Sequence, residues 1–326
     1  MEFFSPTSNV NFMGVRRFSV VISLLLVLGS ILALATRGLN FALDFTGGTL
    51  VEVSYDAPME QPAVVKALEA AGFSGAVVQR FDSSNFAIRL APETGAKDDA
   101  GALDAQETSL DSRNAALGQR VVSALRADGV GVTVKRSEFV GPQVGKELAY
   151  NGVIAVLVVL AGIMLYIAMR FEWKFAVATV AGEMHDVLIT LGFFAVTGMD
   201  FDLTVLAAIL AVDGYSVNDK IVVFDRVREL FRSTRGSEPV EVLNRAINNT
   251  LGRTIMTSLT TLLTVVSLYL FGGQTLEGFS LALIVGIIVG TLSSIFFACP
   301  VLLKLGVTKQ DLMPKARDDS ELARRP

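Results

Sequence analysis

Long apolar runs recur along the chain at approximately 18–36, 152–169, 175–197, 203–224, 254–271 and 276–303. A helix needs about 20 mainly apolar residues to cross a hydrocarbon core of roughly 30 Å, so each run predicts a transmembrane helix. Residues 37–148, between the first two runs, change character. There "TLVEVSY", "GAVVQRF", "NFAIRLAP" and "GVTVKRSEF" read as strands, and "QPAVVKALEAAGF" and "RNAALGQRVVSALRADG" as helices. The order β-α-β-β-α-β predicts a ferredoxin-like α+β domain. "PETGAKDDAGALDAQETSLD" is small, polar and acidic and predicts a loop inserted before the second helix. The expected fold is a polytopic α-helical membrane protein with six transmembrane helices and one extracytoplasmic ferredoxin-like (βαββαβ) domain. No internal repeat stands out.

Composition agrees with this pattern. The chain has 326 residues, 52% hydrophobic and 18% charged, with a positive mean hydropathy, too apolar for an ordinary soluble enzyme of this length. The net charge of −4 gives no sign of a nucleic-acid partner. Cys299, in the last apolar run, excludes an internal disulfide and reads as a packed core residue. The first run follows Arg16 and Arg17 and ends in "ALA", so a signal peptide is an alternative reading, although the run is long for one.

Charge in the short loops sets an expected orientation, because cytoplasmic loops carry excess Lys and Arg. The basic segments are Arg16 and Arg17 in the N-terminal 1–17, the turn "RFEWK" with Arg170 and Lys174, the stretch from Arg226 to Arg253, and the tail 306–326 with Lys309, Lys315, Arg317, Arg324 and Arg325. "TGMDFD" and "GGQTLE" carry none. Both termini are therefore expected in the cytoplasm, with 37–148 outside.

Polar groups inside the runs suggest chemistry. A carboxylate at the middle of a span costs about 2.5–3.5 kcal/mol on insertion scales, so such groups usually face a protein interior or a water-filled path. The third run holds Glu183, His185 and Asp186, the fourth holds Asp213, Asn218, Asp219 and Lys220, and Arg253 opens the fifth. At 100° per residue Asp213 and Asp219 point about 240° apart, whereas Tyr215 and Asp219 share a face. Lys220 lies on the face of Asp213 and is expected to snorkel to the cytoplasmic surface. Asp219, with Arg253 as counter-ion, is the better candidate for a carboxylate that takes up and releases a proton as helices move. Structural interhelical hydrogen bonding is the competing reading for Asp219, for Asp213 and for His185, the only histidine, which excludes a multi-histidine metal site. "DRVRELFR" reads most simply as a solvated amphipathic helix at the cytoplasmic surface.

Six segments in order carry a resemblance: "FALDFTGGT", "VGPQVGKEL", "RFEWKFAV", "GYSVNDKIVVFDRVRE", "NNTLGRTIMTS" and "EGFSLALIVGIIVGTLSSIF". They resemble the signature segments of the SecF family, the smaller membrane subunits of the bacterial SecDF protein-export complex within the resistance-nodulation-division superfamily. The resemblance implies an inner-membrane subunit without enzymatic activity or cofactor that works with SecD, the SecYEG channel, a translocating preprotein and the lipid bilayer, using proton flow. It places the proton path at Asp219 and Arg253, with Asn218 and Tyr215 beside them in "GYSVND". Asp213, Asp186, His185 and Glu183 are further candidates. Asp44, Gly47, Gly48 and Gly214 belong to structural motifs, the glycine pair permitting a turn that bulkier residues resist.

The chain departs from the family pattern at Asp213, just before "GYS", and at Glu183 in "GEM". These acids could extend the proton path, bind a cation such as sodium, or lie at a water-lined or SecD-facing surface. Two other classes remain open from the residues alone. One is a proton-coupled pump for a small solute or lipid. The other is an intramembrane aspartyl protease using Asp219 with Asp186 or Asp213.

Overall fold

In the computed structural model the described residues are 9–73, 75–90, 117–126, 131–234, 238–308 and 311. The expected acidic loop, most of the basic tail and residues 1–8 lie outside them. The chain divides into two compact units, one formed by Met1–Asn40 and Ile154–Pro326, the other by Phe41–Val153.

The second unit is built on a four-stranded sheet of β1 (Gly48–Tyr55), β2 (Val77–Arg80), β3 (Asn85–Leu90) and β4 (Val132–Val140), in the spatial order β2-β3-β1-β4. Every pairing is antiparallel, and a register shift at Glu52/Val53 interrupts the β1–β4 ladder. Alternation decides its core: Val51, Val53 and Tyr55 of β1 and Phe86, Ile88 and Leu90 of β3 are buried. Against them pack Val64 and Leu68 of helix α1 (Gln61–Ala70) and Val121, Val122 and Leu125 of a helix at 117–125. Pro62 sits in the first turn of α1, and Gly72, at φ +89°, follows its end.

Two of the family-like segments meet in this unit. Gly47 and Gly48 adopt φ of +68° and +123° after the short helix Leu43–Thr46, and a Cβ on Gly48 would lie 2.4 Å from the Leu90 carbonyl oxygen. Gly145 of "VGPQVGKEL" approaches the same turn, where a Cβ would meet the Gly47 nitrogen at 2.9 Å. The turn therefore needs both the left-handed backbone and the missing side chain.

The first unit is helical. Among the described residues of the whole chain, five helices are long and apolar enough to cross a membrane: Phe12–Thr36, Gln143–Arg170, Trp173–Thr197, Pro239–Phe271 and Glu277–Lys304. The expected fourth span falls on Leu203–Ser233, which at about 1.5 Å per residue is long enough but is not among the helices apolar enough to cross. Asp213, Asp219, Lys220 and the charged residues after Phe224 make it less apolar than the other five. This helix does not end at residue 224, because Val227, Leu230 and Phe231 continue its buried face against Val242, Leu243 and Ala246. "DRVRELFR" is thus half packed and only half solvated.

Three local features close the bundle. Gly192 lies against Ser30, where a Cβ would stand 2.2 Å from the serine Oγ, so a small residue lets the two helices touch. Near the end of the last span the helix widens to a π-turn at Ser294–Ala298 ahead of Pro300. Proline has no N–H to offer the Phe296 carbonyl, and the Ser19 hydroxyl donates to that oxygen instead at 3.0 Å. At the N-terminal end, Asn248 both donates to and accepts from the Val10 backbone at 2.9 Å, and Asn244 accepts from the Met13 N–H at 2.8 Å.

Candidate functional site

The polar residues of the bundle form two sites on different faces of Leu203–Ser233. The first surrounds Lys220. Its side chain is fully buried rather than snorkelled: Nζ donates to Glu183 Oε1 at 2.9 Å, Asp186 Oδ2 at 2.8 Å and Ser216 Oγ at 2.6 Å. A neighbouring glycine diverts it inward. A Cβ on Gly182 would stand 2.5 Å from Lys220 Cε, so its absence opens the slot the lysine stem occupies.

Asp186 is the best satisfied carboxylate. Besides Lys220, its Oδ2 accepts from Ser216 Oγ at 2.7 Å and Ser293 Oγ at 2.8 Å, and its Oδ1 lies 2.8 Å from His185 Nδ1. A Cβ on Gly290 would stand 2.6 Å from Ser216 Oγ, so Glu277–Ser293 closes over the network because that position is bare. His185 makes its polar contact to its own neighbour and stacks on Phe297 at 4.4 Å between ring centroids. Its Nε2, Glu183 Oε2 and both Asp213 oxygens have no hydrogen-bond donor or acceptor partner among the described residues. With no donor between them, the Asp213 and Glu183 carboxyls lie within side-chain interaction range of each other.

The second site contains Asp219. It is buried, its Oδ2 has no partner among the described residues, and its carboxyl feels the charge of Lys220 first and of Arg253 second, with Ser258 beside it. Tyr215 reaches the same serine, 3.4 Å from hydroxyl to hydroxyl, and Ser258 is 2.7 Å from Thr291. Arg253 is exposed on this chain, and among the described residues it makes no ion pair within 4.0 Å of Asp219. Asn218 and Gly214 are exposed. The division by helical angle holds: Asp213 and Asp219 serve different faces. Asp219 therefore does not pair with Asp186, which is engaged by Lys220, and the carboxyls brought together are Glu183 and Asp213.

Sequence reasoning missed Ser216, Ser258 and Ser293. Ser216 lies four residues before Lys220, on its face, but Ser293 and Ser258 come from helices whose packing the sequence does not reveal.

Comparison with known proteins follows the same residues. The family described as protein export membrane protein SecD/SecF, C-terminal, matches residues 121–308, and the SecD/SecF GG motif matches residues 32–59. Protein translocase subunit SecF of Vibrio alginolyticus is 44% identical over 94% of this chain and 92% of its own. The subunit of the same name from Pseudomonas aeruginosa is 43% identical over 95% and 96%. Among solved structures, SecDF of Thermus thermophilus, described as a translocon-associated membrane protein, superposes with a TM-score of 0.79 at 37% identity. That likeness covers 93% of this chain but spans only 39% of the SecDF chain.

Proposed function

Because the chain belongs to the SecD/SecF family of protein-export membrane proteins, we propose that it is the SecF subunit of a bacterial export machinery. In this reading it works with SecD to assist late translocation of preproteins through SecYEG, drawing on the proton-motive force. The observation that carries the proton coupling is Asp219, a buried carboxyl with an unpartnered oxygen, set beside Ser258 and Tyr215 and within electrostatic reach of Arg253. A group so placed gains or loses a proton with little rearrangement, and the change in charge alters how the helices around it pack.

Six spans are part of this reading, Leu203–Ser233 being the one whose polar residues face inward. Both termini lie in the cytoplasm, and 37–148 forms a periplasmic ferredoxin-like domain. The strand order β2-β3-β1-β4 with two helices on one face supports that assignment. A SecD partner is supported by the part of the solved SecDF chain that this chain does not span. The protein is a transport subunit of the inner membrane and not an enzyme.

The test uses inverted membrane vesicles carrying this protein with SecD, as wild type or Asp219→Asn, and follows a secretory precursor becoming protease-protected with and without a proton gradient. We expect the gradient-dependent late stage to fall in the variant to the gradient-free level while complex assembly is unchanged. Equal rates in variant and wild type would overturn the role of Asp219.

A further inference from the structure

The Lys220 site holds more carboxyls than its lysine can balance. Glu183 and Asp186 pair with one ammonium, and Asp213, as deeply buried, lies within reach of its charge without pairing to it. Asp186 is satisfied by Lys220, Ser216, Ser293 and His185. Three oxygens remain without a donor, Glu183 Oε2 and both of Asp213, and they belong to two carboxyls that face one another. Two carboxylates cannot hydrogen-bond without a proton, and leaving them both bare and dry is costly.

We propose that Glu183 and Asp213 share one exchangeable proton and form a proton-binding site separate from Asp219, with Lys220 as its counter-ion. The groups facing the pair are few. Lys220 comes from the helix of Asp213, and Asp186 and His185 from the helix of Glu183. Among the described residues the helix Glu277–Ser293 offers the network only the Ser293 hydroxyl, and Arg253 of Pro239–Phe271 acts on Asp219, which also feels the charge of Lys220 from the neighbouring position on its own helix. When the shared proton leaves to water, its O–H bond breaks and both carboxylates are bare. Lys220 Nζ, already 2.9 Å from Glu183, then shifts toward the pair, and Asp186 keeps its serine and histidine donors. The same ammonium occupies Glu183 Oε1 and opposes a metal cation there. In export, this site rests on the proton-coupled reading above and gives the membrane domain a second exchange point.

The test is infrared difference spectroscopy of the full chain in lipid nanodiscs, following the C=O stretch of protonated carboxyls and its shift in D2O. We expect a buried protonated-carboxyl band at neutral pH that disappears in both Glu183→Gln and Asp213→Asn and persists in Asp219→Asn. Lys220→Met, which removes the balancing charge, should raise the band toward twice its wild-type intensity. A band unaffected by either Glu183→Gln or Asp213→Asn overturns the proposal, as does one lost only in Asp219→Asn, one that sodium suppresses at fixed pH, or no rise in Lys220→Met. Because the band reports proton occupancy without export, failure of the export test leaves it intact, and its failure leaves the Asp219 test standing.

Discussion

At the scale of single residues, two glycines on adjoining helices make opposite demands. A methyl at Gly182 would press on the stem of Lys220, which is fully buried and held by three hydrogen bonds. Gly182→Ala should therefore destabilise the protein by about 1–3 kcal/mol, as overpacking does, and lower its midpoint of thermal unfolding in detergent. At Gly214 a Cβ meets nothing within 4 Å, and removing a glycine from a helix interior is worth roughly 0.5–1 kcal/mol. Gly214→Ala should raise that midpoint; a drop would mean that this face is occupied in the isolated chain. The spacing of Asp213 and Lys220 was legible in the sequence, but the inward path of the lysine was not. That path depends on an absent side chain on another helix, which no periodicity along one helix records.

At the scale of elements, the turn between β2 and β3 makes a pH-dependent test possible outside the membrane helices. Asp82 Oδ1 accepts from the Ser84 and Asn85 N–H groups at 2.7 and 2.8 Å. These bonds favour the ionised carboxyl and lower its pKa from 3.8 to about 2. With the folded value depressed, the stabilisation is complete above the ordinary carboxylate range and fades as pH falls toward about 2. Amide exchange at Ser84 and Asn85 should lose protection over that window in the wild type, whereas Asp82→Ala should be poorly protected throughout; protection independent of pH in the wild type would refute the assignment. The strands were legible because alternation marks one buried face. Helix ends were less so: the run of apolar residues stops at Phe224, but the helix is carried on by contacts of Val227 and Phe231 with a helix that begins at Pro239.

For the whole molecule, the buried cysteine makes the proposed topology directly measurable. Cys299 is fully buried with its thiol directed at the Ser294 carbonyl, so the wild type should not react with a membrane-impermeant maleimide. Ser123 and Glu229 are exposed, on the sheet-bearing unit and on the long polar end of Leu203–Ser233 respectively. Ser123→Cys should label in spheroplasts and Glu229→Cys only in inverted vesicles; the reverse pattern would invert the orientation. The charge of the short loops carried this expectation in the sequence. The Asp219 and Lys220 sites needed tertiary structure, since Ser258 and Ser293 come from separate helices.

The hydrogen bonds between Val10 and Asn248 set an order of assembly. Their partners stand 238 positions apart, so the start of the chain waits on the ribosome for roughly 10–50 seconds at about 5–20 residues per second before its binding site on Pro239–Phe271 exists. Biogenesis must therefore keep the first helix inserted but unlatched during that interval, and the latch becomes a late checkpoint on a correctly completed bundle.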